Sequence, residues 1–389
     1  GNDTDPYRTA QYLAPANGVQ GTILTNDPTL TIGSRLKPER TRAFEAGLEA
    51  RFAENRFGFD FTLYRSNTFN QLAILPQSAT TGFTSQFLNL GNIRNQGIEL
   101  LLNVTPFVAG EFRWDVSVNY TRNRNKVVEL DPDGKITNYG LGGNRIANIG
   151  AINGQRMGEI TTRGFVRDAN GAILIDTTRG RALPITIPNV YVGNVNPDWL
   201  GGINNAFSYK NLRFEFLIDG RFGGKVVSHT QAVLAGLGRM DYTLEGREGG
   251  LLVPGVIAAV NPETGALARD PQNNFVGTGT PNTRATTAQA YWQTIGGRAN
   301  PTGEVFTYDA TNVRLRQFTL SYRLPASLLG KTPVRTASIS VYGRNLFFLV
   351  KRAPADPEIS LNTGLGGQGL DFYGLPPARS FGFSVNVGL

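Results

Sequence analysis

Cysteine is absent from the 389 residues, so neither a disulfide framework nor a thiolate metal site can form. A single histidine, His229, excludes multi-histidine metal centres and leaves little acid–base chemistry near neutral pH. Long apolar runs are missing too. The longest, Leu251–Val260, is interrupted by Pro254 and Gly255, far short of the ~20 residues that a helical membrane span needs. What is abundant is glycine, 47 residues, and aromatic side chains, led by 23 Phe and 13 Tyr.

The dominant pattern has a period of two. In Glu111–Asn123, Phe112, Trp114, Val116, Val118 and Tyr120 alternate with Arg113, Asp115, Ser117, Asn119 and Thr121. A strand sends successive side chains to opposite faces, so one face is apolar and the other wet. Thr41–Phe52 repeats this, with Phe44, Ala46, Leu48, Ala50 and Phe52 against Glu45, Gly47, Glu49 and Arg51. The closing segment does the same with Phe381, Phe383, Val385, Val387 and Leu389. Similar runs at 56–68, 94–105, 200–208, 212–223, 312–323 and 336–348 bring the set to about nine strands, each long enough to cross a bilayer when tilted.

The connections alternate in length. Ala53-Glu54-Asn55, Pro106–Gly110, Tyr209-Lys210-Asn211 and Leu324–Arg335 are short, while the intervening segments are long and rich in Gly, Pro, Asn and Thr. A soluble β-sandwich alternates as well, but it has no reason to collect every long connection at one end. An outer-membrane barrel does, with short periplasmic turns and long extracellular loops. By parity the C-terminus is then periplasmic, residues 1–40 form an extracellular loop segment, and 41–389 are barrel. An odd strand count leaves open edges whose unpaired backbone groups are costly in hydrocarbon, so the chain is expected to be the C-terminal portion of a larger all-β antiparallel barrel.

The net charge of +8 would suit nucleic acid. Yet Arg51, Arg113, Arg213 and Arg323 fall on polar strand faces beside Glu49, Asp115 and Glu215, so no nucleic-acid partner is expected. Arg122, Arg124, Arg221 and Arg344 sit near the outer strand ends, where lipid and lipopolysaccharide phosphates would lie. Gly364–Gly369 spells G-x-G-x-x-G without the strand–helix context of a dinucleotide site. Asp131-Pro132-Asp133-Gly134 starts like a calcium loop, but Gly142 occupies the place of the bidentate carboxylate, and a turn explains the residues. Asp168-Ala169-Asn170-Gly171 reads as a hairpin turn. His229 is read as a solvated loop side chain, since no nucleophile motif accompanies it. No catalytic residue, metal site or cofactor is expected.

Four separated blocks carry a resemblance: "LKPERTRAFEAGLEARF" (36–52), "NLGNIRNQGIELLLNVTP" (89–106), "GNVNPDWLGGINNAFSYKNLRFEFLIDGRFGGKV" (193–226) and "NVRLRQFTLSYRLPASLL…ISVYGRNLFFL" (312–349). They resemble the C-terminal barrel part of SusC/RagA-type TonB-dependent outer-membrane receptors, as do Asp356–Glu358 and the closing "PARSFGFSVNVGL". The plug and the first barrel strands have no counterpart, and Leu389 stands where the family usually ends in Phe. The resemblance implies import of large nutrients, glycans or peptides, across the outer membrane of a Gram-negative bacterium. Its implied partners are the N-terminal barrel and plug of the same receptor, a SusD-like lid lipoprotein and the TonB complex. A structural or interaction subunit of a larger outer-membrane assembly is the alternative, and a passive porin a third. Among external-loop aromatics, Tyr242, Tyr291, Trp292, Phe372 and Tyr373 are the candidates for cargo or lid contacts. Trp114, Tyr120 and Trp199 suit interfacial girdles. The two longest loops, 124–199 and 224–311, are expected to be folded excursions forming the main protein-binding surface.

Overall fold

The computed structural model describes residues 36–388, apart from 77–79, 81–84, 132–133, 135, 179 and 331–332, together with three short upstream strands, Leu13–Gly18, Gly21–Asn26 and Thr31–Ile32. Nine long strands carry the fold: β1 (Arg40–Phe52), β2 (Phe57–Pro76), β3 (Ser85–Ala109), β4 (Phe112–Glu129), β5 (Trp199–Tyr209), β6 (Leu212–Phe222), β7 (Asn312–Arg323), β8 (Thr336–Lys351) and β9 (Ser380–Gly388). These are the strands that the alternation indicates, in the same order. Because β2 and β3 run on as one long hairpin, the spacer foreseen between them shrinks to 77–84. Leu389 and most of residues 1–35 lie outside the described residues.

The chain divides into two compact units, one of residues 1–106, 115–139 and 151–157, the other of 107–114, 140–150 and 158–389. In the first, the strands follow the order β4-β3-β2-β1. Directly opposed residues share a face. Ala46, Leu63 and Ile98 form one such row, Leu48, Phe61 and Leu100 the next, and Phe52, Phe57 and Val104 a third. The opposite face carries Gly47, Thr62 and Glu99 in one row and Glu45, Tyr64 and Gly97 in another. The Tyr64 ring covers Gly97, where a Cβ would come within 2.4 Å of the phenol oxygen, so only glycine fits beneath it.

In the second unit the order is β9-β8-β7-β6-β5. One face joins Phe383, Val341, Leu320, Phe214 and Phe207 across five strands. The other joins Ser384, Ser340, Ser321, Arg213 and Ser208. Phe381 and Phe383 are 71% and 76% exposed, so no described element covers this apolar face. Burying it in water-excluded surroundings is worth roughly 1.5–3 kcal/mol per large side chain. Near the short-turn end the Trp114 ring stacks on Phe207 with centroids 5.6 Å apart, and its indole N–H donates to Asn205 Oδ1 at 3.2 Å. That bond satisfies the one amide opposite Phe216 on the apolar side. Trp199 stacks on Phe222 at 3.6 Å.

One irregularity has a chemical purpose. Leu217 opposes Gln317 while Ile218 opposes Leu315, which leaves Arg316 as the extra residue of a β-bulge. The consecutive polar pair Arg316-Gln317 therefore breaks the alternation without moving any apolar residue off its face. The freed Arg316 guanidinium donates to Asp219 at 2.6 Å and to Glu358 at 2.8 Å. Arg314, only 3% exposed, pairs with Asp356 at 2.9 Å and lies over the Phe348 ring. Asp356 and Glu358 both belong to the β8–β9 connection, so these two arginines pin that segment to the polar face of the strand wall. Exposed pairs elsewhere, such as Arg51–Glu49 at 2.8 Å, are worth about 0–1 kcal/mol.

A buried pair behaves differently when broken: a charge left wholly uncompensated costs about 3–5 kcal/mol, and Arg314 without Asp356 would keep only the longer contact to Glu358 at 3.5 Å. Asp356→Ala should therefore loosen residues 352–379 locally, whereas Glu49→Ala should do little. Hydrogen exchange of the assembled receptor checks this, with equal protection in both variants as the contrary result.

Candidate functional site

The long connections of the second unit are folded, as their apolar content suggests. Met157–Phe165 pairs antiparallel with Thr186–Asn194. Leu174–Asp176, Leu183–Pro184, Val256–Ala258 and Gly277–Pro281 build a second small sheet, and Lys225–Ser228, Thr307–Asp309 and Leu370–Asp371 a third. Ile149, Ile160, Val227, Phe306 and Leu370 are fully buried together at their centre. Arg167 and Ile173 bridge across the Asp168–Gly171 turn, which is closed by a bond from Gly171 N–H to the Asp168 carbonyl at 3.0 Å. Within the G-x-G-x-x-G run, Leu365–Gly367 form a short 3-10 turn against the Gly142 backbone, with no helix following.

Two eight-residue helices organise the candidate site. α1 (His229–Gly236) starts at Ser228, whose hydroxyl accepts from Gln231 N–H at 3.0 Å. α2 (Ala288–Ile295) starts at Thr287, whose hydroxyl accepts from Ala290 N–H at 3.1 Å. Such caps supply the donors' partners at a helix start and contribute about 1 kcal/mol each. The helices approach closely because Gly236 and Gly296 lie at the contact. A Cβ on Gly236 would lie 2.5 Å from the Gly297 nitrogen, and one on Gly296 2.7 Å from the Ala232 carbonyl oxygen.

The five sequence-predicted aromatics separate into two clusters. Trp292 on α2 meets Tyr242 and Tyr291, each with ring centroids 5.0 Å away. Tyr291 packs on the buried Ile175, Ala182 and Val253, so its body is structural, while Tyr242 stays 40% exposed. Burial raises the pKa of Tyr242 and of Tyr291, and raises that of Tyr308, which is hydrogen-bonded to Tyr242, so all three phenols stay protonated. Beside Trp292 lies a cleft of about 560 Å³, lined by Leu237, Thr243, Gln289 and Gln293 among others. Arg247 also reaches it, but its guanidinium is occupied by the Thr243 carbonyl and hydroxyl, both at 3.0 Å. An aromatic wall with amide side chains can stack on a flat apolar group and hydrogen-bond a polar one.

Phe372 and Tyr373 form the second cluster, around His229. The imidazole stacks on Phe372 at 4.9 Å and meets Tyr373 edge-on at 5.4 Å. It is 1% exposed, which overturns the reading of a solvated loop histidine. The sequence offered no local sign of this, since its aromatic partners lie more than a hundred residues away. Around the ring, Asp371 accepts from Ser228 and, at 2.9 Å, from Thr230, and Thr230 in turn accepts from Tyr373 N–H at 2.9 Å. Ser228, Thr230 and Asp371 are thus positioning residues that composition alone did not single out. Among the described residues no group of three or more His, Cys, Asp or Glu could hold a metal ion. Asp131 instead accepts from Ile136 N–H at 3.2 Å as a turn residue does.

Burial depresses the His229 pKa, with Arg145 and Arg298 acting in the same sense and the Arg298 carbonyl, 3.2 Å from Nε2, and Asp371 opposing. A histidine whose folded pKa lies below its unfolded value contributes stability that is intact above about pH 6.5 and falls as pH drops below it. Amide protection in α1 and at 372–373 should therefore decrease between pH 7.5 and 5 after correction for intrinsic exchange. His229→Gln should remove that pH dependence; an unchanged dependence would contradict the assignment.

Residues 7–346 match the family model described as TonB dependent receptor-like, beta-barrel. TonB-dependent receptor P3 of Formosa agariphila is 27% identical over 98% of the chain, which spans 37% of that relative. TonB-dependent receptor SusC of Bacteroides thetaiotaomicron is 27% identical over 46% of the chain and 19% of its own length. The fold is similar to part of the solved structure of the RagAB peptide importer in the 'open-open' state, with a TM-score of 0.68 at 18% identity over 99% of the chain and 38% of the solved one. The chain thus spans well under half the length of the relatives it matches.

Proposed function

Since the chain belongs to the TonB-dependent receptor β-barrel family, of the SusC/RagA type, we propose that it is barrel wall and outer loop layer of a transporter importing large nutrients. Proteins of this family are outer-membrane receptors rather than enzymes. The observation that carries the reading is the pairing of an uncovered, one-faced apolar strand wall with folded excursions on the connections. A wall of that kind needs lipid on its apolar side. β1 pairs only with β2, and β9 only with β8, among the described strands. Further strands of the same receptor would close these edges, because unpaired backbone in hydrocarbon costs several kcal/mol per group.

In this reading the short turns at 53–55 and Lys210-Asn211 face the periplasm with the C-terminus, and the folded connections, with residues 1–40, face outside. Cargo is of the glycan or peptide class. Tyr242 and Trp292 offer it a stacking surface beside the amides of Gln289 and Gln293, and Phe372 and Tyr373 offer a second. Energy reaches the transporter from the TonB complex through a plug on the rest of the receptor. The excursion 224–311 docks a SusD-like lid lipoprotein. Leu237 and Leu244 support this, being 67% and 59% exposed on that excursion although large and apolar.

Leu237→Asp combined with Leu244→Asp in the full-length receptor should weaken co-purification of the lid by more than about tenfold, as loss of buried anchors at an interface does. Heat-modifiable migration should stay intact. Deletion of 229–300 should abolish the lid contact. Full lid recovery from both variants would remove this excursion as the docking surface, and a receptor that takes neither lid nor cargo would fit a structural subunit instead.

A further inference from the structure

The arginines near the outer strand ends do not share one face. Arg221 keeps the parity of Arg213 and Glu215, and its guanidinium donates to the Val195 carbonyl. Arg344 opposes Gln317 on the same polar side. These two are therefore not placed to meet lipid. Arg65, Arg122 and Arg124 are. Within the first unit Arg65 opposes Phe44 on β1 and Gln96 on β3, one row beyond the Leu63–Ile98 pair. Arg122 and Arg124 continue the parity of Trp114, Val116, Val118 and Tyr120 along β4. Together with Phe44, Leu63 and Ile98 they line an open recess of about 480 Å³.

Several features of this recess point to one kind of ligand. No carboxylate lines it. None of its three arginines forms an ion pair among the described residues, unlike Arg51, Arg213, Arg314 and Arg316 on the polar faces. Phe44 is 69% exposed beside them. The recess lies near the middle of the β2–β3 hairpin and toward the Arg40 end of β1, the end away from the short turn at 53–55. Cations on a lipid-facing surface are costly at the bilayer midplane and nearly free at the interface. There, phosphate oxygens accept guanidinium N–H groups in pairs.

We infer that this recess holds the phosphorylated head of a lipid A-type glycolipid in the outer leaflet. Arg65, Arg122 and Arg124 take the phosphate oxygens, and Phe44, Leu63 and Ile98 pack against the first methylenes of the acyl chains. The assignment rests on the membrane orientation proposed above.

The test uses the full-length receptor in detergent, titrated by native mass spectrometry with phosphorylated lipid A, with dephosphorylated lipid A and with inorganic pyrophosphate. Each surface cation is worth about fivefold in affinity for an anionic headgroup, so the phosphorylated lipid should win by about a hundredfold. The Arg65→Gln, Arg122→Gln, Arg124→Gln triple variant should lose that preference while keeping heat-modifiable migration, and Arg213→Gln on the polar face should keep it. Equal binding of the two lipids by the wild type overturns the inference, a comparison that does not depend on how the variant folds. Retained preference in the triple variant overturns it as well. So does pyrophosphate binding as tightly as the lipid, which would mark a soluble-anion site. A receptor that fractionates with the outer membrane but shows no phosphate preference sinks this inference alone; one that does not reach the membrane sinks the orientation on which it rests.

Discussion

A strand has two faces, and every other feature of this chain accommodates that constraint. Once Phe214, Leu320, Val341 and Phe383 share one side, Arg213, Ser321, Ser340 and Ser384 must share the other. A slip of one residue would exchange the two sets, placing arginine in lipid at about 2–4 kcal/mol near the midplane. Register is therefore held strongly along the wall. The bulge at Arg316 shows how an extra cation is admitted without a slip.

That cation links the wall to the layer above it. Through Arg314 and Arg316 the polar face grips Asp356 and Glu358, and the same connection then delivers Asp371, Phe372 and Tyr373 to α1. The aromatic side chains proposed for cargo or lid contacts, Phe372 and Tyr373, are thus held by a chain of polar and aromatic contacts that begins on a barrel strand. Tyr242 and Trp292 are held separately, by the close packing of α2 on α1 at Gly236 and Gly296. Rigid support of this kind gives a loop surface the precision that binding needs.

The nine strands were legible because period two is a local signal, visible within any ten residues. The hairpin turn at Asp168–Gly171 was legible for the same reason. The bulge announced itself only as the doubled polar pair Arg316-Gln317, which alternation alone cannot distinguish from a strand end. α1 and α2 span eight residues each, too few for a helical period to stand out. The burial of His229 depends on Phe372 and Tyr373, partners that only the fold brings near. For the arginines, parity sorted Arg122 and Arg124 from Arg221 and Arg344 once the strand register was known.

Contact between the apolar face and lipid is the central claim, and β7 tests it most directly because its parity changes at one residue. Nitroxides placed singly from 313 to 323 in the full-length receptor in bilayers would report collision with oxygen, enriched in lipid, and with a water-soluble nickel chelate. Oxygen maxima are predicted at 313, 315, 318, 320 and 322, with chelate maxima at 314, 317, 319 and 321. Oxygen maxima at 319 and 321, or an unbroken alternation through 316, would contradict it.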